Sequence, residues 1–315
     1  MNYTKLQGIG IPVSTIVFGC CNPILTKDEK GAEELLDTAF SNGFNIFDTA
    51  KVYGKSEEVL GRWISRAGNR DRIVIITKGC HPDPAPRVSP EALKEDIDSS
   101  LKRLKTDYID IYMLHRDAPG ADIDMMLSEL NGYVRQGVIK KIGVSNWTCE
   151  RIEKANERAV SLGLEGFSAS SPQMSLARQI GDPWGGGCVS VSWDDESKRW
   201  YCEHPEIEVM PYSCLGRGMF SGRVSGSHPF RAWRSLDWAA KRAYWCRENL
   251  RRLKSCEKIA KEKGCTVAQA AIAWLLAQDF AVMPVATMSS EKRMIENIGA
   301  FDVKLSAEDM KRLNA

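Results

Sequence analysis

The stretch Ile73-Val74-Ile75-Ile76-Thr77-Lys78 decides the fold, because four β-branched apolar residues stand in succession before two polar ones. A strand that is apolar on both faces is typical of a parallel sheet covered by helices. The next segment begins with Ser89-Pro90-Glu91, a capping serine followed by proline in the first helical turn. Its apolar stripe consists of Leu93, Ile97, Leu101 and Leu104. Strand and helix together predict one βα unit.

The same alternation extends in both directions along the chain. Apolar runs predict eight strands, at 15–19, 45–48, 73–78, 109–114, 139–144, 167–170, 207–210 and 281–285. Helical patterns lie at 32–40, 56–64, 90–104, 123–134, 150–160, 266–278, near 290 and at 306–313. Eight units in about 300 residues predict an α/β protein with a closed (β/α)8 TIM barrel. A doubly wound sheet is the alternative, but no Gly-x-Gly-x-x-Gly follows the first strand.

Composition excludes several other classes of protein. The 315 residues are 43% hydrophobic and 27% charged, with a net charge of +2, and we expect one domain over 1–315. The near-zero charge argues against nucleic-acid binding. No apolar run is long enough for a membrane helix, and the N-terminus lacks a signal-peptide core, so we expect a cytoplasmic protein. The ten cysteines form no Cys-x-x-Cys pair and the four histidines are not at ligand spacing, which argues against a metal site.

Two stretches interrupt the alternation and are predicted to be long loops over the carboxyl ends of the strands. They are 176–206, which includes Gly185-Gly186-Gly187, and 214–238. Six of the nine tryptophans fall between 184 and 245. These rings either pin the loops to the barrel or line a ligand pocket, and for the pocket the candidates are Trp184, Trp193 and Trp200. The basic stretch 241–263 is predicted to be a solvated helix face.

Polar residues follow the predicted strands at the end where a parallel barrel carries its active site. They are Asp48, Lys78, His115, Ser145-Asn146, Gln173 and Tyr212-Ser213, with Tyr53 five positions after Asp48. Each alone has an ordinary structural explanation, as a turn, cap or solvated residue. Four ionisable side chains at one rim are hard to explain separately. Charges near an apolar interior need partners, which predicts an ion pair between Asp48 and Lys78.

This set can protonate a carbonyl oxygen. We expect the Lys78 ammonium to lower the pKa of Tyr53, which makes the phenol a usable proton donor or acceptor. His115 can hydrogen-bond a substrate oxygen. Since no side chain donates hydride, a nicotinamide cofactor would be needed.

Residues 48–61, Asp-Thr-Ala-Lys-Val-Tyr-Gly-Lys-Ser-Glu-Glu-Val-Leu-Gly, resemble the aldo-keto reductase signature Asp-Thr-Ala-x-x-Tyr-Gly-x-Ser-Glu-x-x-Leu-Gly. The resemblance continues through 77–78, 109–116, 143–146 and 211–218. It implies a (β/α)8 barrel, NADPH and reversible carbonyl reduction. It also implies the catalytic set Asp48, Tyr53, Lys78 and His115, with Tyr53 as general acid.

The resemblance further implies where the cofactor binds. Ser145, Asn146 and Gln173 would hold the carboxamide, and Tyr212 would stack on the nicotinamide ring. The loop 213–218 resembles the diphosphate loop, with Ser213, Leu215, Gly216 and Gly218 as its contacts. At the adenosine end, 287–297 aligns with the family's motif, although Thr287 replaces a glycine. Ser289 and Arg293 suit a 2′-phosphate, followed by Glu296 and Asn297, so we expect NADPH rather than NADH.

The favoured hypothesis is therefore an NADPH-dependent reductase of an aldehyde or ketone, such as a sugar or an aromatic carbonyl. One alternative is a nicotinamide-binding regulatory or redox-sensor barrel with little turnover. A lyase that forms a Schiff base at Lys78 is a third.

Overall fold

The computed structural model describes residues 1–82, 87–184 and 186–315. Within these ranges, a short antiparallel pair, β1 (Tyr3–Thr4) and β2 (Val13–Ser14), precedes a sheet of eight parallel strands. The eight are β3 (Val17–Gly19), β4 (Ile46–Asp48), β5 (Val74–Gly79), β6 (Ile109–Leu114), β7 (Ile139–Ser145), β8 (Ala169–Ser171), β9 (Glu208–Val209) and β10 (Val285–Ala286). Their order in the sheet is β10-β3-β4-β5-β6-β7-β8-β9.

The helices lie between these strands and after the last of them. They are α1 (Pro23–Thr26), α2 (Ala32–Ser41), α3 (Ser56–Ala67), α4 (Pro90–Leu104), α5 (Ile123–Arg135), α6 (Cys149–Leu162), α7 (Asp195–Glu203), α8 (Pro229–Ser235), α9 (Trp238–Tyr244), α10 (Arg247–Glu262), α11 (Val267–Leu276), α12 (Glu291–Ile298) and α13 (Ala307–Asn314). In the part of the chain that the structure describes, no helix has the length and apolarity needed to cross a membrane.

Backbone hydrogen bonds join the two ends of the sheet. The Met283 amide donates to the Val209 carbonyl at 2.8 Å, and the Val285 amide donates to the Pro211 carbonyl at 3.0 Å. Since β10 also pairs with β3, the strands form a closed ring. The prediction of a (β/α)8 barrel is therefore confirmed.

The apolar core has two layers, because successive side chains of a strand point to opposite faces. Ile76 and Met113 belong to the cluster inside the barrel, whereas Ile75 and Leu114 belong to the larger cluster beneath the helices. Leu6, Ile9 and Val13 of the β1–β2 segment pack into the inner cluster. Since β2 leads directly into β3, this hairpin closes the amino end of the barrel and leaves the carboxyl end for a site.

The structure corrects the prediction that 176–206 and 214–238 are long loops. Helix α7 lies within 176–206 and begins where the Asp194 carboxylate accepts hydrogen bonds from the Glu196 and Ser197 amides, both at 3.2 Å. Helix α8 lies within 214–238. Gly185 is outside the described residues. The basic stretch does form helix α10, as predicted, although Arg252 on it is buried.

Candidate active site

The four predicted catalytic side chains meet at the carboxyl end of the barrel. Lys78 and Asp48 form an ion pair. The Lys78 Nζ lies 5.3 Å from the centroid of the Tyr53 ring, and the Tyr53 and His115 rings lie 5.6 Å apart, edge to face. Since β4, β5 and β6 are adjacent in the sheet, their ends bring together residues up to 67 positions apart.

The ion pair is buried, with Asp48 5% exposed and Lys78 2% exposed. The Lys78 Nζ also donates to the Thr49 carbonyl at 3.0 Å. Burial raises the pKa of Asp48, and the neighbouring ammonium opposes that rise. With two of its N–H groups engaged, the Lys78 amine is poorly placed for the Schiff base of the lyase hypothesis.

The pKa of Tyr53 is opposite in direction to our expectation. It is raised well above its usual value, first by burial of the phenol and then by the negative charge of Asp48. The prediction of a lowered Tyr53 pKa is therefore wrong, because burial of the phenol and the negative charge of Asp48 outweigh any stabilisation of the phenolate by Lys78. The hydroxyl keeps its proton at neutral pH, which is the form a proton donor requires.

His115 is held in its neutral form. Burial lowers its pKa well below 6.5, and Lys78, His81 and Arg116 add to the effect by their positive charge. The His115 amide donates to the Gly79 carbonyl at 2.9 Å, which orients the residue. Its Nδ1 is buried and has no hydrogen-bond partner among the described residues. A neutral imidazole can donate one hydrogen bond to a substrate oxygen.

Sequence reasoning missed His81, whose ring lies 4.8 Å from that of His115. It follows β5 by two residues, so the same rule about strand ends could have identified it. Cys80, which lies between the end of β5 and His81, has a φ of 56°, a conformation that is uncommon for residues other than glycine. The Cys80 amide is anchored there by the buried Asp96 carboxylate at 2.7 Å.

Three predicted cofactor residues form a hydrogen-bonded chain beside this group. The Tyr212 hydroxyl donates to Asn146 Oδ1 at 2.6 Å, and Asn146 Nδ2 donates to Ser145 Oγ at 2.9 Å. The Ser145 hydroxyl donates to the Ser171 carbonyl at 2.9 Å. Asn146 has a φ of 60°, which is the kind of backbone outlier found at functional sites.

Gln173, which is also predicted to contact the cofactor, is held by three serine side chains. Its Oε1 accepts from Ser190 Oγ at 2.5 Å and Ser192 Oγ at 3.2 Å, and its Nε2 donates to Ser175 Oγ at 2.9 Å. Gln173 is fully buried, and a bridge to Tyr212 joins the two segments. The amide is thus held in one orientation.

The glycine-bearing loop adopts the left-handed conformations that its sequence allows. Ser213, Gly216 and Gly218 have φ values of 55°, 56° and 91°. A Cβ atom at Gly218 would lie 2.5 Å from Nη2 of Arg223, so a larger residue would displace that side chain. Such a run leaves backbone N–H groups free to approach an anion. Leu215, between them, is half-buried.

The predicted adenosine-end residues lie next to this loop. Arg293 Nη1 donates to the Ser221 carbonyl at 3.3 Å and pairs with Glu296 at 2.5 Å. Asn297 is buried on the same helix, α12, and Ser289 is exposed just before it. Helix α12 therefore contacts the segment at Ser221, which lies about 70 residues earlier in the chain.

Two of the three tryptophans proposed for a substrate pocket pack elsewhere. Trp193 stacks on Trp274 of α11 at 5.6 Å, and the Arg252 guanidinium lies 3.5 Å from the centroid of its ring. Trp200 stacks on His204 at 4.1 Å. Each of these rings stacks on another side chain of the protein, and the structure does not join the two with the catalytic group.

Trp184 is placed differently, since it is 42% exposed. It contacts Trp238 at 6.3 Å and the Arg217 guanidinium at 4.6 Å, and Arg217 belongs to the glycine-bearing loop. The structure therefore places this tryptophan against the loop 213–218 that is predicted to bind the diphosphate.

Comparison with known proteins agrees with this geometry. Residues 15–315 match the model described as "Aldo/keto reductase family". Probable aldo-keto reductase 1 of Glycine max is 30% identical, over 98% of this chain and 87% of its own length. Aldo-keto reductase yakc [NADP(+)] of Schizosaccharomyces pombe is 28% identical, over 96% of this chain and 87% of its own. The crystal structure of the thermostable aldo-keto reductase Tm1743 with the inhibitor epalrestat has a TM-score of 0.72 and 26% identity, covering 100% of this chain and 99% of that one.

Proposed function

The chain belongs to the aldo/keto reductase family, and on that premise we propose that it is an NADP(H)-dependent oxidoreductase that reversibly reduces an aldehyde or ketone to the alcohol. The observation that carries this proposal is the convergence of Tyr53, His115 and the Asp48–Lys78 ion pair at the carboxyl end of the barrel. A protonated phenol beside a neutral imidazole suits a carbonyl oxygen that gains a proton as its carbon is reduced.

The residues around this group fit a nicotinamide cofactor. The ring of Tyr212 and the amides of Asn146 and Gln173 would hold the nicotinamide with its carboxamide, and Ser145 would complete that set. The loop with Ser213, Leu215, Gly216 and Gly218 has the backbone conformations that suit a diphosphate. When bound, the cofactor supplies the hydride that no side chain can supply.

The remaining steps are assigned to side chains of this chain. In reduction, the Tyr53 hydroxyl donates its proton to the carbonyl oxygen, and in oxidation the phenolate takes it back. His115 donates a hydrogen bond to the same oxygen and sets its direction. Lys78 stabilises the phenolate while it exists, and Asp48 keeps the ammonium oriented.

The choice of NADP(H) rests on Arg293 and Ser289 at the predicted adenosine end. A guanidinium binds a 2′-phosphate well, and Glu296 and Asn297 follow on the same helix. The yeast relative whose name carries NADP(+) supports the same choice.

The test is NADPH oxidation by the purified protein over a panel of aldehydes, ketones and sugars. We expect turnover of some of them. Tyr53→Phe should lower kcat by about 100-fold or more with an unchanged Kd for NADPH, because general acid catalysis contributes that much. Tyr108→Phe is the matched control, because within the described residues its hydroxyl bonds only to the Arg70 carbonyl at 3.4 Å, at the other end of β6.

Two outcomes would count against the proposal. Full turnover by Tyr53→Phe would remove the tyrosine from the mechanism. NADPH binding without turnover across the whole panel would favour the alternative, a nicotinamide-binding regulatory barrel.

A further inference from the structure

Arg116, the residue after His115, is a buried cation at the mouth of the barrel. It is 8% exposed. Its Nη1 donates to the Gly187 carbonyl at 3.4 Å and to Cys188 Sγ at 3.3 Å, and both acceptors are uncharged. Over the described ranges, Arg116 forms no ion pair within 4 Å. A buried guanidinium without a carboxylate is unusual, because removing a charge from water is costly unless an opposite charge compensates it.

The nearby acidic residues are engaged with other groups. Asp117 pairs with Arg151 at 3.3 Å. Asp182 accepts from the Trp184 amide at 2.7 Å and the Cys188 amide at 2.9 Å. Asp48 is paired with Lys78. Within the described residues, none of these three carboxylates lies within ion-pair distance of the Arg116 guanidinium, and the negative charge of Asp182 acts on it only from farther away.

This charge lies where a substrate would be held. It acts on the ionisation of both Tyr53 and His115, opposing the rise in the pKa of the first and contributing to the lowered pKa of the second. On its other side, Arg116 contacts the segment 187–188. The next residue there, Val189, donates its amide to Asn146 Oδ1 at 3.3 Å. The guanidinium therefore lies between the catalytic residues Tyr53 and His115 on one side and the predicted nicotinamide residue Asn146 on the other.

We propose that Arg116 selects the substrate by binding an anionic oxygen group, so that this site reduces aldehydes or ketones that carry a carboxylate or a phosphate. A guanidinium recognises both groups through paired N–H donors. The substrate would thereby supply the direct ion-pair partner that Arg116 lacks within the described residues. This inference rests on the proposed reductase function and names the class of its substrate.

The experiment compares matched substrates with purified enzyme and NADPH. The carboxylate arm uses 4-oxobutanoate against its methyl ester, and the phosphate arm uses glyceraldehyde 3-phosphate against glyceraldehyde. In at least one arm, the wild type should have a kcat/KM about 10- to 100-fold higher for the anion, as a charge-assisted hydrogen bond allows. Arg116→Gln should remove that preference, so that kcat/KM becomes similar for the anionic and the neutral member of the same pair.

Controls separate recognition from a structural role of Arg116. Arg116→Lys keeps the charge and should retain part of the preference, whereas Arg151→Gln removes a neighbouring arginine and should leave it intact. The Kd for NADPH, measured by fluorescence, should be unchanged in all three variants.

Each contrary outcome has a distinct meaning. Equal rates for anionic and neutral substrates in the wild type, or an equal loss on both in Arg116→Gln, would overturn the inference and leave the reductase function standing. No turnover of any of the four aldehydes, nor of the wider panel, would overturn the reductase function and this inference together.

Discussion

The carboxylate of Asp48 and the ammonium of Lys78 form an ion pair in which both side chains are more than nine-tenths buried. The two residues are 30 positions apart and come from the neighbouring strands β4 and β5. Burying either charge alone would cost free energy. Each charge can be buried because the other compensates it.

Replacing either partner should therefore destabilise the protein. Asp48→Asn and Lys78→Met should each lower the free energy of unfolding by about 3–5 kcal/mol, because each leaves one buried charge unpaired. The double variant should lose clearly less than the sum, and urea unfolding measures all three. Lys55→Met, which breaks an exposed pair with Glu58, should cost less than about 1 kcal/mol. Additive losses in the double variant would contradict the coupling.

The raised pKa of Tyr53 predicts a difference between the two reaction directions. The phenol remains protonated through neutral pH, so the proton donor for reduction is lost only at a pH well above 10. Alcohol oxidation needs the phenolate and should rise with pH throughout the alkaline range. The pH profiles of kcat in the two directions test this. A reduction rate that falls with a midpoint near pH 7 would show that another group supplies the proton.

The lowered pKa of His115 predicts a loss of stability in acid. The unfolded state binds a proton near pH 6.5, whereas the folded state binds it only at lower pH. The contribution of the buried neutral ring is complete above 6.5 and declines as the pH falls below it. His115→Gln should flatten Tm between pH 5 and 6.5, whereas His228→Gln, at an exposed position, should not. Parallel curves for the wild type and His115→Gln would contradict the assignment.

Arg293 should decide between the two nicotinamide cofactors. Arg293→Gln should raise the Kd for NADPH about tenfold, since a charge-assisted contact to the 2′-phosphate would be lost, and leave the Kd for NADH unchanged. Lys292→Gln is the control on the same helix, because that side chain is exposed and forms no ion pair within the described residues. Fluorescence titration measures both constants. An equal weakening for the two cofactors would instead indicate that Arg293 supports the fold of the loop at Ser221.

Trp193 should matter for stability and not for catalysis. Trp193→Ala removes a ring stacked between Trp274 and Arg252 and should lower the free energy of unfolding by about 3–5 kcal/mol. Its kcat/KM for any reduced aldehyde should stay within about threefold of the wild type. Trp184→Ala, at an exposed position, should cost much less stability. A selective loss of kcat/KM in Trp193→Ala would return this residue to the substrate pocket.

The local pattern of the chain was sufficient to predict the barrel. Strand β6 has the predicted bounds, 109–114, and helix α4 begins at the predicted cap, where Ser89 Oγ accepts from the Ala92 amide at 3.2 Å. A strand's alternation and a helix's cap depend on a few consecutive residues, so they can be recognised without knowing the rest of the fold. Asp48, Lys78 and His115 were located by the same means, since strand ends are local features, whereas the catalytic roles came from the resemblance to the family.

Contacts between distant segments decided the rest. Nothing near Trp193 in the chain indicates that Trp274, 81 positions later, will cover its ring. The pKa of Tyr53 depends on how deeply the phenol is buried and on how close the Asp48 carboxylate lies to it. Whether a carboxylate lies within ion-pair distance of Arg116 depends on where distant segments of the chain place their acidic residues. The sequence by itself determined the eight strands, their order and the chemistry of each strand end. Only the tertiary structure decided which charges are balanced, because desolvation and ion pairing depend on distances in space, not on separation along the chain.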